Sequence, residues 1–312
     1  REVTKKMLIL EQMTIFFFML LLGVIGKLIG IITPEIRQAL TKIVVNIVTP
    51  CMILSCDLSS VIAEKLSFIV YAMAVMILLQ LLQVASGFLV PYLMRYPKEE
   101  RGTVNMLFTC TNILLLGIPL VGALYGELAI VYMSIAIVFN NILLFSYGVI
   151  MIGGGRDKIS FRQLAQNPSF ISSMLLIVFI FAGFNMPELC RQGLSRAGAA
   201  APVIAMMIVG SAVPEIKFKE TLTDVRLMIF VLVKMLVVPA VLLLISKQIL
   251  TSREFEGVAL VSLAGPCGVM TAVLAALYNP KMITKAARAV SITTATAVFT
   301  IPLVALITGI GL

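Results

Sequence analysis

Long apolar runs separated by short polar stretches dominate the chain. A helix that crosses a bilayer needs about 20 mostly apolar residues, and this pattern predicts an all-α polytopic membrane protein with ten transmembrane helices. The seventh run is short and Gly265-Pro266 interrupts the ninth, so eight crossings is the lower bound. The ten runs are centred on 12–32, 41–57, 67–94, 104–125, 128–152, 169–185, 198–213, 226–246, 256–278 and 287–309.

The longest polar connection divides this pattern into two halves of similar length. It predicts a first five-helix repeat at 1–155, a cytoplasmic linker at 156–168 and a second, inverted five-helix repeat at 169–312. Lysines and arginines fall unevenly on the alternate sides, with 15 of the 24 in the loops on the linker side. Because cytoplasmic loops carry the excess of positive charge, we expect both termini to lie outside a plasma or bacterial inner membrane.

One apolar run is interrupted by residues that a membrane helix does not favour. Between Thr111 and Gly126 the chain carries Asn112, Gly117 and Pro119. Proline removes a backbone donor and clashes with the preceding turn, and broken backbone survives at membrane depth only inside protein or along a watery cavity. The run therefore predicts a break near Pro119, with free amides from Leu115 to Ile118 and the positive end of the following half-helix available to an anion.

The spacing of prolines indicates a repeat. Four pairs are separated by similar distances, and an odd number of helices per half inverts the second copy across the membrane. Inverted repeats with broken helices at corresponding positions recur in secondary transporters. We therefore expect the breaks near the last pair to meet at the membrane midplane. The pairs are Pro34 and Pro187 (187 − 34 = 153), Pro50 and Pro202 (152), Pro91 and Pro239 (148), and Pro119 and Pro266 (147).

Several stretches, in their order and spacing, resemble the auxin efflux carrier family, whose prokaryotic members include malate and malonate permeases. They are VNIVTPCMILSCDLS, CTNILLLGIPLVGALYGE, FNNILLFSYGVI, NPSF, AAAPVIAMMIVGSAV, VKMLVVP, the Pro266 region and SITTATAVFTIP. The resemblance implies ten helices in two inverted repeats, with a scaffold domain and a transport domain. It also implies that broken fourth and ninth helices cross where a carboxylate binds, that the protein is a homodimer, and that it works by an elevator movement. Unlike the plant pattern, no asparagine follows Pro266.

The candidate substrate site combines side-chain amides, backbone donors and one cation. Each of its polar members has an alternative structural role: Asn112 and Asn141 as bonds between helices, Asn46 in stabilising a kink, and Lys234 in snorkelling to the headgroups. The full candidate set is Asn46, Asn112, Leu115, Gly117, Ile118, Pro119, Asn141, Lys234, Gly265, Pro266, Cys267, Gly268 and Thr271.

Composition restricts the chemistry further. Hydrophobic residues make up 60% of the chain and charged residues 12%, against about 25% charged in soluble domains. The net charge of +9 is therefore explained by cytoplasmic loops and does not indicate a nucleic-acid partner. There is no histidine, and the five cysteines lack metal-site spacing, so we expect no metal, no cofactor and no enzymatic activity.

No carboxylate lies close to either break in the sequence. Asp57 and Glu64 are the best candidates for proton or sodium coupling, if coupling exists. A cavity with amides, helix dipoles and a lysine favours an anionic substrate. We therefore predict a secondary transporter of a small organic anion, auxin-like or malate-like, working by elevator-type alternating access. A sodium-coupled symporter of the bile-acid-transporter type and a non-transporting membrane sensor are the alternatives.

Overall fold

The computed structural model describes residues 2–59, 66–154, 162, 165–215 and 223–310, and these fold into helices with no β-strand. The all-α prediction is thereby confirmed for the described part of the chain. In chain order the α-helices are α1 (Glu2–Leu28), α2 (Pro34–Ile43), α3 (Thr49–Leu54), α4 (Leu66–Leu93), α5 (Lys98–Thr109), α6 (Ile118–Tyr125), α7 (Glu127–Leu143), α8 (Val149–Ile152), α9 (Pro168–Ala182), α10 (Glu188–Gly198), α11 (Ala201–Ala212), α12 (Val225–Leu232), α13 (Val238–Ser246), α14 (Arg253–Ala264), α15 (Val269–Tyr278) and α16 (Ile283–Thr308).

Six stretches of helix in the described chain are long and apolar enough to cross a membrane: Pro34–Leu54, Val70–Leu93, Glu127–Ile152, Glu188–Glu215, Val225–Ile249 and Pro280–Thr308. Four shorter apolar helices, Thr14–Leu28, Ile113–Tyr125, Pro168–Ala182 and Val269–Tyr278, fall in the remaining predicted runs. Large apolar side chains on the outside of the array are exposed, for example Phe18, Ile245 and Phe299 at 62–69%. A soluble protein rarely exposes apolar surface so extensively. Ten crossings in two inverted repeats remain a prediction.

Widened helical turns accompany the prolines. Four π-helical segments occur among the described residues: Val44–Val48, Ile113–Gly117, Leu144–Gly148 and Val233–Val237. Three of them end two residues before a proline, which is Pro50, Pro119 or Pro239. Proline has no N–H, and its ring crowds the carbonyl four residues earlier. A π-helical turn, in which backbone hydrogen bonds join residues five apart, accommodates both effects. These prolines widen a helix without breaking it.

Glycines allow α1 and α11 to approach closely. A Cβ added to Gly23 would lie 2.1 Å from the carbonyl oxygen of Met207, and one added to Gly210 would lie 1.9 Å from that of Leu20. Backbone therefore meets backbone along this contact, as is common where small residues join membrane helices. The two helices form one wall of the array, while α7, which is largely buried, packs at its centre.

The stretch from Pro34 to Leu54 separates two polar ends of the array. At its start Arg37 shares Glu215 with Lys27, at N–O distances of 2.7 and 2.5 Å. Just beyond its end Asp57 enters a second cluster with Glu127, the first residue of α7, and with Asn185, which precedes α10. We call these the Arg37 end and the Asp57 end.

Candidate functional site

Two interrupted helices cross at the centre of the fold. Helix α5 ends at Thr109 and α14 at Ala264, and each is followed by a short non-helical stretch. There an isolated antiparallel bridge pairs Thr111 with Cys267. The amide of Asn112 donates to the carbonyl of Pro266 and the amide of Gly268 to that of Cys110, both at 2.8 Å. Each interruption thus supplies hydrogen-bond partners for backbone groups of the other. Buried backbone N–H and C=O groups need such partners.

The first interruption does not lie where the sequence pattern predicts it. It occupies residues 110–112, and Pro119 is the second residue of α6, directly after the π-helical segment. The amides predicted to be free are also occupied: that of Leu115 donates to Asn112 Oδ1 at 3.4 Å, those of Leu116 and Gly117 donate to the carbonyl of Asn112, and that of Ile118 to Ile113. The asparagine starts the half-helix as its cap, which makes the prediction of a break at Pro119 wrong.

Two half-helices begin at this crossing. One starts at Ile113 and continues into α6, and the other is α15, which starts at Val269. The N-terminal end of a helix carries a partial positive charge from the aligned peptide dipoles, even where its amides are occupied. The crossing therefore gathers two positive helix ends in one place, which suits an anion.

A cavity of about 230 Å³ lies against the crossing. Five of the residues that line it have a buried polar atom without a hydrogen-bond partner among the described residues: Asn112 Nδ2, Asn141 Nδ2, Thr271 Oγ1, Thr111 Oγ1 and Asn140 Oδ1. Of the described residues that line it, Lys42 is charged and none is acidic. The wall thus presents mainly donors. The complete lining is Thr41, Lys42, Val45, Asn46, Cys110, Thr111, Asn112, Ile113, Leu114, Leu115, Asn140, Asn141, Leu144, Asn167, Gly268, Val269, Met270 and Thr271.

Comparison with known proteins identifies the class. Residues 8–305 match the family model described as "Membrane transport protein". The chain belongs to this family, that of the auxin efflux carriers. It is also similar to an uncharacterized transporter of Methanocaldococcus jannaschii, with 26% identity over 283 residues that cover 88% of this chain and 90% of the relative. The resemblance seen in the sequence is confirmed, and the protein is a multi-pass membrane transporter.

The structure brings together part of the predicted site of this family member. Six of the predicted residues line the cavity: Asn46, Asn112, Leu115, Asn141, Gly268 and Thr271. Three form the second interruption itself and lie outside the lining: Gly265, Pro266 and Cys267. Three are buried in the helix that follows Asn112 and do not reach the cavity: Gly117, Ile118 and Pro119.

Lys234 lies behind the crossing and outside the cavity lining. Its side chain is 1% exposed, and its Nζ is 5.4 Å from the centre of the Phe108 ring. The ammonium group has no hydrogen-bond partner among the described residues. Because the side chain is enclosed by protein, the alternative in which Lys234 snorkels to the headgroups is wrong for this conformation.

The two acids considered for coupling are not at the crossing. Glu64 lies outside the described residues. Asp57 accepts hydrogen bonds from Ser59 and from Asn185 Nδ2, and these bonds lower its pKa to about 2. Its own amide donates to Glu127 at 2.7 Å. Asp57 therefore stays ionised at neutral pH in a network at the Asp57 end, and a role in coupling remains only a prediction for both acids.

Sequence reasoning missed the side of the cavity formed by α2 and the start of α9. Thr41 and Lys42 line it beside Asn46, and Asn167 lines it while capping α9 through Ser169. Lys42 and Asn46 are four residues apart and so share one helix face. That spacing is visible in the sequence, where Lys42 is one of the 15 basic residues that set the predicted orientation.

Proposed function

We propose that this family member is a secondary transporter of a small organic anion, a mono- or dicarboxylate of the malate-like or auxin-like kind. The observation that carries the proposal is the cavity at the crossing, which has buried unpartnered donors and no acidic residue in its described lining. An ionised carboxylate only accepts hydrogen bonds and offers about four lone-pair positions. Its chemistry is complementary to this wall.

The recognition we propose uses side chains and helix ends together. Asn112 Nδ2 and Thr271 Oγ1 come from the two segments that cross, and Asn141 Nδ2 comes from α7. Hydrogen bonds to an ionised acceptor are shorter and about twice as strong as neutral ones. The positive ends of the half-helices that begin at Ile113 and Val269 add a favourable potential. Apolar residues of the same wall would contact the carbon skeleton.

Access from one end supports alternating access. Lys42 and Asn46 are exposed and line the cavity on the side of the Arg37 end. At the Asp57 end, Glu127 interacts with the amide of Asp57 and with Arg191 at 3.9 Å, which joins the start of α7 to α10. We propose that this conformation is open to the cytoplasm. An elevator movement would carry the crossing past α2 and α3 and open the opposite side.

The wider arrangement is proposed on the same basis. It comprises ten crossings in two inverted repeats, both termini outside, a homodimer in the plasma or inner membrane, and no cofactor. Cys190 gives a direct topology test, because it is exposed and lies in α10 near the Asp57 end, while the other cysteines are buried or half-buried. A membrane-impermeant maleimide should label Cys190 in intact cells and should not label Cys190→Ser. Labelling that requires permeabilised cells would reverse the orientation.

Proteoliposome uptake tests the function. The panel would contain radiolabelled malate, malonate, benzoate and indole-3-acetate, each with and without sodium or pH gradients. We expect saturable counterflow of at least one acid, strongly reduced in Asn112→Ala. Asn105→Ala is the matched control, because Asn105 is buried with an unpartnered Nδ2 but does not line the cavity. Folded protein without flux under any gradient would contradict the proposal and favour a sensor, and strict dependence on sodium would favour the bile-acid-transporter type.

A further inference from the structure

Lys234 is the one charged residue among the described residues that is buried. It lies in the π-helical segment Val233–Val237 between α12 and α13, well inside an apolar span. Its Nζ faces the ring of Phe108 and has no hydrogen-bond partner among the residues that the structure describes. The titratable groups near it are the thiols of Cys110 and Cys267. No carboxylate of the described chain pairs with it.

Such a cation is unusual enough to need a role. An ionisable side chain within a membrane span is costly, and it usually faces a partner or a substrate pathway. A structural ion pair would place an acid beside Lys234, and the described structure places none there.

The position of Lys234 shows where that partner would be. Phe108 is in the last turn of α5, two residues before Cys110, and Cys110 lines the cavity. Cys267 pairs with Thr111 in the bridge between the crossing chains. The two cysteines near Lys234 thus belong to the crossing itself. Lys234 is therefore next to residues of the crossing, one of which lines the cavity, and no other charged residue of the described chain is buried there.

We propose that Lys234 is the countercharge of one carboxylate of the transported anion, so that the crossing loaded with a monocarboxylate carries no net charge while the empty crossing carries one positive charge. The inference rests on the proposed transport of an anion and goes beyond it, because it states which step the membrane potential acts on. The loaded step is insensitive to voltage. The return of the empty crossing is the step that the potential drives.

Exchange measurements separate the two steps. With the same monocarboxylate saturating both sides of a proteoliposome and the label on one side only, only the loaded step is sampled, and valinomycin with a potassium gradient sets the potential. The variants are Lys234→Met, which keeps the length and loses the charge, and Lys234→Arg, which keeps the charge. One elementary charge that crosses the whole field changes a population about 50-fold per 100 mV, and therefore changes a rate by up to about sevenfold.

We expect exchange by the wild type and by Lys234→Arg to be unchanged by the potential, and exchange by Lys234→Met to change several-fold. If exchange by folded Lys234→Met stays as insensitive as that of the wild type, the inference is wrong. Voltage-dependent exchange in the wild type also overturns it, and this arm needs no variant to fold. Both results leave the proposed function intact, because exchange is present. Absence of exchange of any acid overturns the proposed function and the inference with it.

Discussion

Substitutions of Asn112 separate the two tasks of its side chain. Its Oδ1 accepts from the amide of Leu115 at 3.4 Å and caps the half-helix, whereas its Nδ2 is buried and has no hydrogen-bond partner in the described part of the chain. Asn112→Asp keeps the capping acceptor but replaces the donor by a negative charge. Asn112→Ala removes both. The two variants should therefore rank differently in the two properties. Asn112→Asp should have the lower affinity for an anion, and Asn112→Ala should have the lower stability.

The magnitudes follow from the two contacts. A hydrogen bond to a charged group contributes about 1.5–3 kcal/mol, which at about 1.4 kcal/mol per decade predicts that Asn112→Ala weakens carboxylate binding about 10- to 150-fold. Asn112→Asp should bind more weakly still, because its carboxylate repels the ligand and competes for the same helix ends. Losing the cap costs about 0.5–2 kcal/mol, and the long 3.4 Å bond points to the lower part of that range.

Two measurements on the purified protein check these orders: calorimetric titration with an acid that the protein transports, and thermal unfolding without ligand. We expect affinity to fall from wild type to Asn112→Ala to Asn112→Asp, while the melting temperature falls mainly in Asn112→Ala. The control Asn105→Ala loses the 2.9 Å bond from the Tyr147 hydroxyl, so it should lose stability but keep its affinity. Wild-type affinity in Asn112→Asp, or an equal loss in Asn105→Ala, would refute the reasoning.

Three further predictions concern packing, charge and pH. Gly210→Ala should lower the unfolding free energy by about 1–3 kcal/mol through overpacking against α1, whereas Gly193→Ala, with no atom within 4 Å of an added Cβ, should raise it by up to about 1 kcal/mol. Lys42→Gln should weaken anion binding about two- to fivefold at low salt and less at high salt, because Lys42 is exposed and its charge is screened; a loss independent of salt would contradict an electrostatic role. The pKa of Asp57 is about 2 when folded and about 3.9 when unfolded, so its contribution to stability is complete above about pH 4 and is lost as the pH falls towards 2. Asp57→Asn should weaken the dependence of the melting temperature on pH between about pH 4 and pH 2. The same dependence in Asp57→Asn and in the wild type would count against the Asp57 network.

The sequence allowed the helical fold and the region of the site to be predicted, because both depend on local signals. Apolar run length identified the helices, and Gly265 and Pro266 lie within the second interruption as expected. The first interruption was misplaced because Pro119 looks like a breaker in sequence. In the structure a π-helical turn accommodates Pro119, and the chain breaks instead before Asn112, where Pro266 supplies a backbone acceptor from the other half.

Long-range placement set the limit of the sequence reasoning. Asn112 and Thr271 are far apart in sequence, and only the pairing of Thr111 with Cys267 brings their helices to one cavity. Lys234 was recognisable as a charge in an apolar run, but its position behind the crossing depends on how α5 packs against its segment. Lys42 shows the opposite error: its position in the sequence indicates a basic residue that sets orientation, but in the structure it lines the cavity.

The position of a bound acid tests the central claim most directly. A structure determined with a transported carboxylate should show the carboxylate at the crossing, within hydrogen-bonding distance of Asn112 Nδ2 and against the first turn of α15. A larger cavity of about 340 Å³ near the Arg37 end, lined among others by Glu100, Arg226 and Lys285, is the internal comparison. A carboxylate bound there, with the crossing empty, would contradict the account.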